Sequence, residues 1–557
     1  MPISKNNIML NPYPLLIAII FLAVTHPLCA QTPNWKWAKE ASGNESDIPQ
    51  AIATDVNGNV IVAGYFASDS LVVGNTVLQN SAIGFQEAFI AKYDSSGNLQ
   101  WAYAYGGTMD DKATAVGTDA QGNVYLAGYF YSPTITFGAT TLTNAGNVGD
   151  IFLVKYSSTG NIIWVKREGA AALEIPYAMH VETTGEIILA GRFSSNSVTF
   201  GTTTLTLAGS MDVFVVRYDA AGNVDWAIGD GGGSNDEAYA VTTDGGGNVI
   251  VAGYFGQTAV FGTTTLIADG LSDIFVAKYT MGGNFLWAVR AGGDGDDRAN
   301  GVAADASGNI YITGFFINDT VSFGNIVIPN APDDNAFVAG YDAGGGIRWA
   351  HGISGDCRAY GIAAMPNGEV YACGSFNDAP LLFNGSSLAN NGDYDFFILH
   401  YDNNGNNAWA VHQSSGGADD GHGQAIAKDN FGALAICGYY ERGPVSFGPS
   451  VLNTINSNGT DVFVARMGGV TTAINHIENE NDISLYPNPS NGKFILKTNS
   501  VISAIEIYNA VGEKVFAMMD LKQRVSTEIN ISSFPEGIYF LKVFDGEKYV
   551  AQKMIVH

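Results

Sequence analysis

Asp119-Ala120-Gln121-Gly122-Asn123-Val124-Tyr125-Leu126-Ala127-Gly128-Tyr129-Phe130 reads as a tight turn running into a β-strand. An Asp can bond the backbone of its own turn, and Gly and Asn tolerate positive φ. The strand's ending returns at Gly64-Tyr65-Phe66 and Gly253-Tyr254-Phe255. Altered copies stand at Gly191-Arg192-Phe193, Gly314-Phe315-Phe316, Gly374-Ser375-Phe376 and Gly438-Tyr439-Tyr440. Tryptophan keeps the same beat at Trp37, Trp101, Trp164, Trp226, Trp287, Trp349 and Trp409, at intervals of 60 to 64 residues. A period of this length marks one supersecondary unit per repeat.

Each repeat holds four strand-like runs, in the second copy Thr114 to Asp119, Asn123 to Phe130, Ile151 to Tyr156 and Ile162 to Lys166. Asp-x-x-Gly-Asn joins the first run to the second, and a similar turn joins the third to the fourth, so the strands are antiparallel. In the first repeat the second strand is apolar on both faces, Val60, Val62 and Phe66 alternating with Ile61, Ala63 and Tyr65. Such a strand needs a sheet packed above and below it. A radial stack of four-stranded sheets meets that need and limits exposed edges. The first three strands occur seven times, but a tryptophan strand follows only six of these sets. The missing copy, Trp35-Lys36-Trp37-Ala38-Lys39, stands ahead of the first set. The sequence therefore predicts an all-β chain: a seven-bladed β-propeller of four-stranded antiparallel blades over residues 31–467, closed by an N-terminal strand, then a small β-sandwich.

The Gly-Asn-Val/Ile and Gly-Tyr-Phe strand and the Phe-Val-Ala-Lys-Tyr-like strand resemble the SBBP-type repeats of bacterial seven-bladed propellers. That resemblance implies an extracellular setting and no fixed chemistry. Residues 468–483 read as a polar, acidic linker. Residues 484–557 then form short alternating runs with eight Lys and Arg against seven Asp and Glu. Their opening Tyr486-Pro487-Asn488-Pro489 with Gly492, the later Gly537-Ile538-Tyr539, and Lys553 in the last strand resemble the type A sorting domain of the type IX secretion system. The resemblance implies recognition by that secretion machinery and crossing of the outer membrane, with release or attachment at the surface.

Export fits the N-terminus. Lys5 precedes an unbroken apolar run from Leu15 to Val24, too short to span a bilayer, and Leu28-Cys29-Ala30 offers a cleavage site before Gln31. Residues 1–30 are read as a signal peptide, and the mature chain carries no transmembrane segment. It keeps Cys357, Cys373 and Cys437, three thiols that make no disulfide framework and fit small buried positions. A net charge of −27 argues against nucleic acid as a partner, because phosphate binding needs a basic surface.

No Gly-x-Ser-x-Gly elbow, P-loop or His-Glu-x-x-His occurs. Asp47, Asp111, Glu174, Asp236, Asp297, Asp356 and Asp420 stand five or six residues before the first strand of each set. On a closed ring they would form a circle of carboxylates for a cation or polar ligand; the alternative is solvated loop acids or strand caps. Calcium is the cation considered, with Asp294-Gly295-Asp296-Asp297 the most calcium-like stretch, although no EF-hand spacing is present. His412 and His422 flank Asp419 and Asp420 without any zinc spacing. No cofactor is otherwise implied. Tyr129, Tyr254 and Tyr439 recur at one strand position, which points to packing rather than sugar stacking. The short turns occupy one face, so a ligand would meet the opposite face, with its longer loops, or the central channel. The expected function is an exported binding or scaffold protein for a polysaccharide or protein ligand. The alternatives are a polysaccharide hydrolase or lyase using the acids of the long-loop face, and a purely structural surface component.

Overall fold

The computed structural model describes residues 34–557 except 147, 318–319, 330–333, 378–380, 384–385, 391–392, 414–420, 442, 454–458, 469–482, 489, 510–513, 536, 545–548 and 557. The signal-peptide reading, most of the linker, Asp419, Asp420 and Pro489 lie outside the described residues. The described residues form strands and no helix.

The first repeat is a sheet ordered Asp47–Thr54, Val60–Phe66, Glu87–Tyr93 and Leu99–Tyr105, all antiparallel. Five further sheets repeat that order, beginning at Asp111–Thr118, Glu174–Val181, Asp236–Thr243, Asp297–Ala304 and Cys357–Ala364. The last begins at Gly421–Lys428, and its Thr460–Met467 strand pairs with Trp35–Ser42, Ala38 lying opposite Ala465. Each first strand lies against the first strand of the next repeat, and Gly421–Lys428 lies against Asp47–Thr54. Second strands such as Val60–Phe66 and Val249–Phe255 are buried along nearly their whole length, as the two-faced apolar pattern requires.

One irregularity explains the repeating glycine. In every repeat the register between first and second strand slips at the same place, for example between Ala113 and Ala115 and between Ala238 and Ala240. This β-bulge leaves Gln50, Thr114, Tyr177, Tyr239, Asn300, Tyr360 and Gln424 without a partner opposite them. It also drives the carbonyl of the second residue toward the facing strand. A Cβ at Gly128 would collide with the Lys112 carbonyl, and one at Gly253 with that of Glu237. Only glycine fits there.

The tryptophans join neighbouring repeats. Trp37 packs on Gly97, Trp101 on Gly160, Trp226 on Gly283 and Trp287 on Gly345, in each case the positive-φ turn of the next repeat. Trp37 and Trp226 also donate their indole N–H to the carbonyls of Ser95 and Met281, each at 3.0 Å.

The longer loops of the face opposite the short turns include the segments between second and third strands. They fold as two-stranded hairpins, such as Thr134–Phe137 with Thr140–Thr143. Ile135, Phe137 and Leu142 are buried while their neighbours face outward. In several repeats the hairpin pairs with the preceding tryptophan strand, as Val73 does with Ala41 and Val260 with Gly231. It covers an outer edge that would otherwise stay unpaired.

Residues 483–556 form a separate sheet of Ile483–Tyr486, Lys493–Asn509, Lys514–Asn530, Gly537–Phe544 and Tyr549–Val556. Its core includes Leu485, Phe494, Leu496, Ile505, Ile507, Ile529, Leu541 and Met554. The runs at Phe494 and Ile505 belong to one long strand, and Lys514–Asn530 extends well ahead of the run that began at Val525.

Candidate functional site

Five of the seven acids chosen from sequence do not stand on loops. Asp47, Asp111, Glu174, Asp236 and Asp297 each begin the first strand of a repeat and are 0–1% exposed. Each caps local backbone. Ser68 donates to Asp47 through both N–H and Oγ, at 3.3 and 2.9 Å. Ser132 does the same for Asp111 at 3.1 and 2.7 Å. Glu174 takes the Ala170 N–H and the Ser195 hydroxyl. Asp236 takes the N–H groups of Gly232 and Gly256, and Asp297 that of Gly293. Burial pushes Asp47 and Asp236 up to about 7 and Asp111 up to about 6, and it raises Glu174 as well.

Asp356 departs from this set. The equivalent residue of the sixth repeat is Cys357, whose Sγ donates to the Ile353 carbonyl at 3.0 Å, and that of the seventh is Gly421. Asp356 sits one residue earlier at a positive φ of 27°, beside the Tyr394 hydroxyl. Asp420 lies outside the described residues.

A second acid series stands first or second in the third strands: Glu87, Asp150, Asp212, Asp273, Asp395 and Asp461, all 0–3% exposed, with Asn335 in the fifth repeat. Each lies opposite the same second-strand residue as the first-strand position. Its signal was the Asp that opens strands like Asp150-Ile151-Phe152, easily taken as a strand boundary.

Among the described residues no group of three or more His, Cys, Asp or Glu side chains is placed to hold a metal ion. In the calcium-like stretch Asp296 is bound by Arg298, Nη2 to Oδ2 at 2.8 Å. His422 contacts the Ser375 hydroxyl at 3.0 Å and stacks on Tyr439, while His412 Nδ1 lies 3.8 Å from Asp395. Cys357, Cys373 and Cys437 are buried thiols, and burial pushes Cys373 up to about 12.

What the bulge presents at this end of the sheets is aromatic and cationic. Tyr177 and Tyr239, both bulge residues, meet edge to face at 4.8 Å, and Tyr239 meets Tyr254 at 5.7 Å. The Arg298 guanidinium lies 4.3 Å over Tyr254, Arg358 lies 4.5 Å over Phe315, and Lys112 lies 4.2 Å over Tyr65. Glu237 accepts the Tyr254 hydroxyl at 2.8 Å and pairs with Arg192 at 3.6 Å. Arg298 and Arg358 keep 30% and 42% of their side chains exposed, so this collar meets solvent while the five first-strand acids do not. Burial pushes Tyr239 up to about 12 and Tyr254 higher, so the phenols remain donors at any ordinary pH. Tyr129 and Tyr439 are half-buried in the same zone. The fixed strand position that suggested packing also lines up the collar.

The opposite end is closed by buried ion pairs. Lys92 meets Asp55 of the Asp-x-x-Gly-Asn turn at 2.9 Å, and Lys278 meets Asp244 at 2.8 Å.

In the C-terminal unit, the residues singled out from sequence fall around the final strand. Asn488 Oδ1 accepts the Ile555 N–H at 2.8 Å, and Ser490 donates its N–H to the Ile555 carbonyl at 2.9 Å. Lys553 lies in that strand opposite Phe540. Gly492 has a φ of 88° and packs against Ser532, where a Cβ would collide with backbone. Tyr539, two residues after Gly537, donates its hydroxyl to the Pro535 carbonyl at 2.7 Å. Tyr486 precedes Pro487, stands opposite Ile495 and is 39% exposed.

Curated relatives match at low identity. One is an uncharacterized WD repeat-containing protein, L264, of Acanthamoeba polyphaga mimivirus, 23% identical over 456 residues, covering 66% of this chain and 32% of that protein. Another is the regulatory protein FlaEY of Caulobacter vibrioides, 25% identical over 299 residues, covering 49% of this chain and 30% of that protein. The chain thus spans about a third of the length of these relatives. Among solved structures, the WD40 domain of Neurospora crassa Pan2 is similar at a TM-score of 0.40 and 10% identity, covering 79% of this chain and 99% of that one. No helix among the described residues is long and apolar enough to cross a membrane. Residues 484–557 match the secretion system C-terminal sorting domain, which marks this chain as one exported to the cell surface or the extracellular space.

Proposed function

We propose that the chain is a surface-displayed or released binding and scaffold protein, delivered by the type IX machinery through residues 484–557. Its body, residues 31–467, is a closed seven-bladed propeller of SBBP type. The pairing of Trp35–Ser42 with Thr460–Met467 and the contact of Gly421–Lys428 with Asp47–Thr54 support closure. The observation that carries the binding reading is the collar. Bulged tyrosines and stacked arginines meet solvent at one end of the sheets, while the first-strand acids Asp47, Asp111, Glu174, Asp236 and Asp297 are buried and capped by local backbone. A general acid or base has to reach its substrate, so acids that are 0–1% exposed favour binding over hydrolysis. Tyrosine and arginine supply large amphipathic contact with few moving torsions. A surface polysaccharide suits this mixture of ring faces and guanidinium donors.

The test presents the full chain to a panel of bacterial and matrix polysaccharides. Capture of one polysaccharide is expected, weakened about tenfold or more by Arg298→Ala, since central Arg contacts often cost roughly 2 kcal/mol when truncated. Release of shortened products would favour the hydrolase or lyase. Failure to capture any of them, or capture indifferent to Arg298→Ala, would favour a structural component or a seat elsewhere.

A further inference from the structure

The two acid series meet across the junctions between repeats. The charge of Glu87 acts on Asp111, that of Asp150 on Glu174, that of Asp212 on Asp236 and that of Asp461 on Asp47. Two junctions contain a guanidinium. Arg167 Nη1 lies 2.6 Å from Asp150, and Arg290 Nη1 lies 3.2 Å from Asp273 and acts on Asp297 as well. Both arginines occupy the same place in the fourth strand, Arg167 opposite Phe152 and Arg290 opposite Phe275. In the third repeat that place, opposite Phe214, is taken by Gly229.

The junction of the third and fourth repeats therefore holds two buried carboxyls without the cation its neighbours have. Asp212 takes the Ala208 N–H on Oδ2; its Oδ1, like that of Asp150 and Asp273, has no hydrogen-bond partner, and the residue is 3% exposed. A Cβ built at Gly231 would lie 2.7 Å from Asp212 Oδ1 and 2.8 Å from Asp236 Oδ2, so both oxygens face one small space. The charged and titratable groups on the surrounding strands are engaged elsewhere. Glu174 is held by Ser195, Asp230 by Tyr279, His180 by Thr243, and Glu237 by Tyr254 and Arg192.

We propose that Asp212 and Asp236 share a proton that takes the place of the missing arginine, which makes this junction a pH-sensitive clasp between the third and fourth repeats. Two buried like charges oppose each other's ionisation. Burial first, and then Asp212, push Asp236 up to about 7, and burial raises Asp212. The folded carboxyls thus hold protons more tightly than the unfolded ones. Their contribution is complete at acid pH and is lost as pH rises through about 7. Buried Asp47 and half-buried Glu168, also pushed up to about 7, leave a residual slope of the same sign.

Thermal unfolding of the full chain from pH 5.5 to 8.5 tests this, in the presence of a chelator and separately with calcium. The melting temperature is expected to fall as pH rises. Asp212→Asn and, separately, Gly229→Arg should each shrink that slope and raise the alkaline melting temperature by a few degrees. Asp150→Asn should act oppositely, lowering it at every pH by leaving Arg167 unpaired. The proposal is overturned if both Asp212→Asn and Gly229→Arg keep the native slope. It is also overturned if calcium restores alkaline stability, because the occupant would then be a metal cation.

Discussion

Removal of Trp35–Ser42 is expected to cost the repeat array more stability than any single substitution, and to leave it prone to self-association. That strand supplies the fourth member of the last sheet, and Trp37, Ala38 and Ala41 are 2–6% exposed. Trp37 alone packs on Gly97 and bonds the Ser95 carbonyl of the first repeat. Truncating a buried aromatic of this size costs about 3–5 kcal/mol, so Trp37→Ala sets the lower bound for the deletion. The deletion also strips the cover from Thr460–Met467, which becomes an open edge ready to pair with another chain. Denaturant unfolding should show the lost stability, and light scattering the association. A deletion variant as stable and as monomeric as the native chain would show that the strand contributes little.

The next largest effect is expected at the other end of the sheets. Lys92 and Asp55 form an ion pair with both side chains 1% exposed, and Lys92 also donates to the Ser158 carbonyl of the second repeat at 3.2 Å. Burial alone would raise Asp55, but Lys92 and Asn59 outweigh it and hold the carboxyl below its ordinary range. Removing one partner strands a buried charge. Lys92→Met should therefore destabilise by about 3–5 kcal/mol, and adding Asp55→Asn should recover much of that loss. Because the folded pKa of Asp55 is depressed, the stability it contributes is present above about pH 4 and fades as pH falls through the folded value. A single and a double variant of equal stability would mean that the pair is not coupled.

The period of tryptophan and of Gly-Tyr-Phe made the repeat legible, because identical packing demands recur wherever identical sheets stack. The hairpins after Phe66, Phe130 and their equivalents were less legible. Their runs are four residues or shorter, and the Phe-Gly step that turns them looks like ordinary loop chemistry. The acids were visible as residues but not as an environment. Asp111 looks like a loop acid until Ser132 is seen to cap it, and Asp356 aligns with it by spacing although Cys357 holds the equivalent place. The collar was hidden for a related reason. A bulge leaves no mark on the first strand itself; its trace is the glycine facing it, which reads as a turn signal. Tyr177 and Tyr239 gain their position from that bulge, and sequence spacing alone cannot aim them.

Everything rests on the last sheet being sealed by the strand that precedes the first. Hydrogen exchange of the intact chain measures this directly, amide by amide, over Thr460–Met467. The expected result is slow exchange along both edges of that strand, matching Glu87–Tyr93 and Asp273–Tyr279 in complete sheets. Rapid exchange of those amides that face Trp35–Ser42, with the amides facing Leu434–Glu441 still protected, would contradict it.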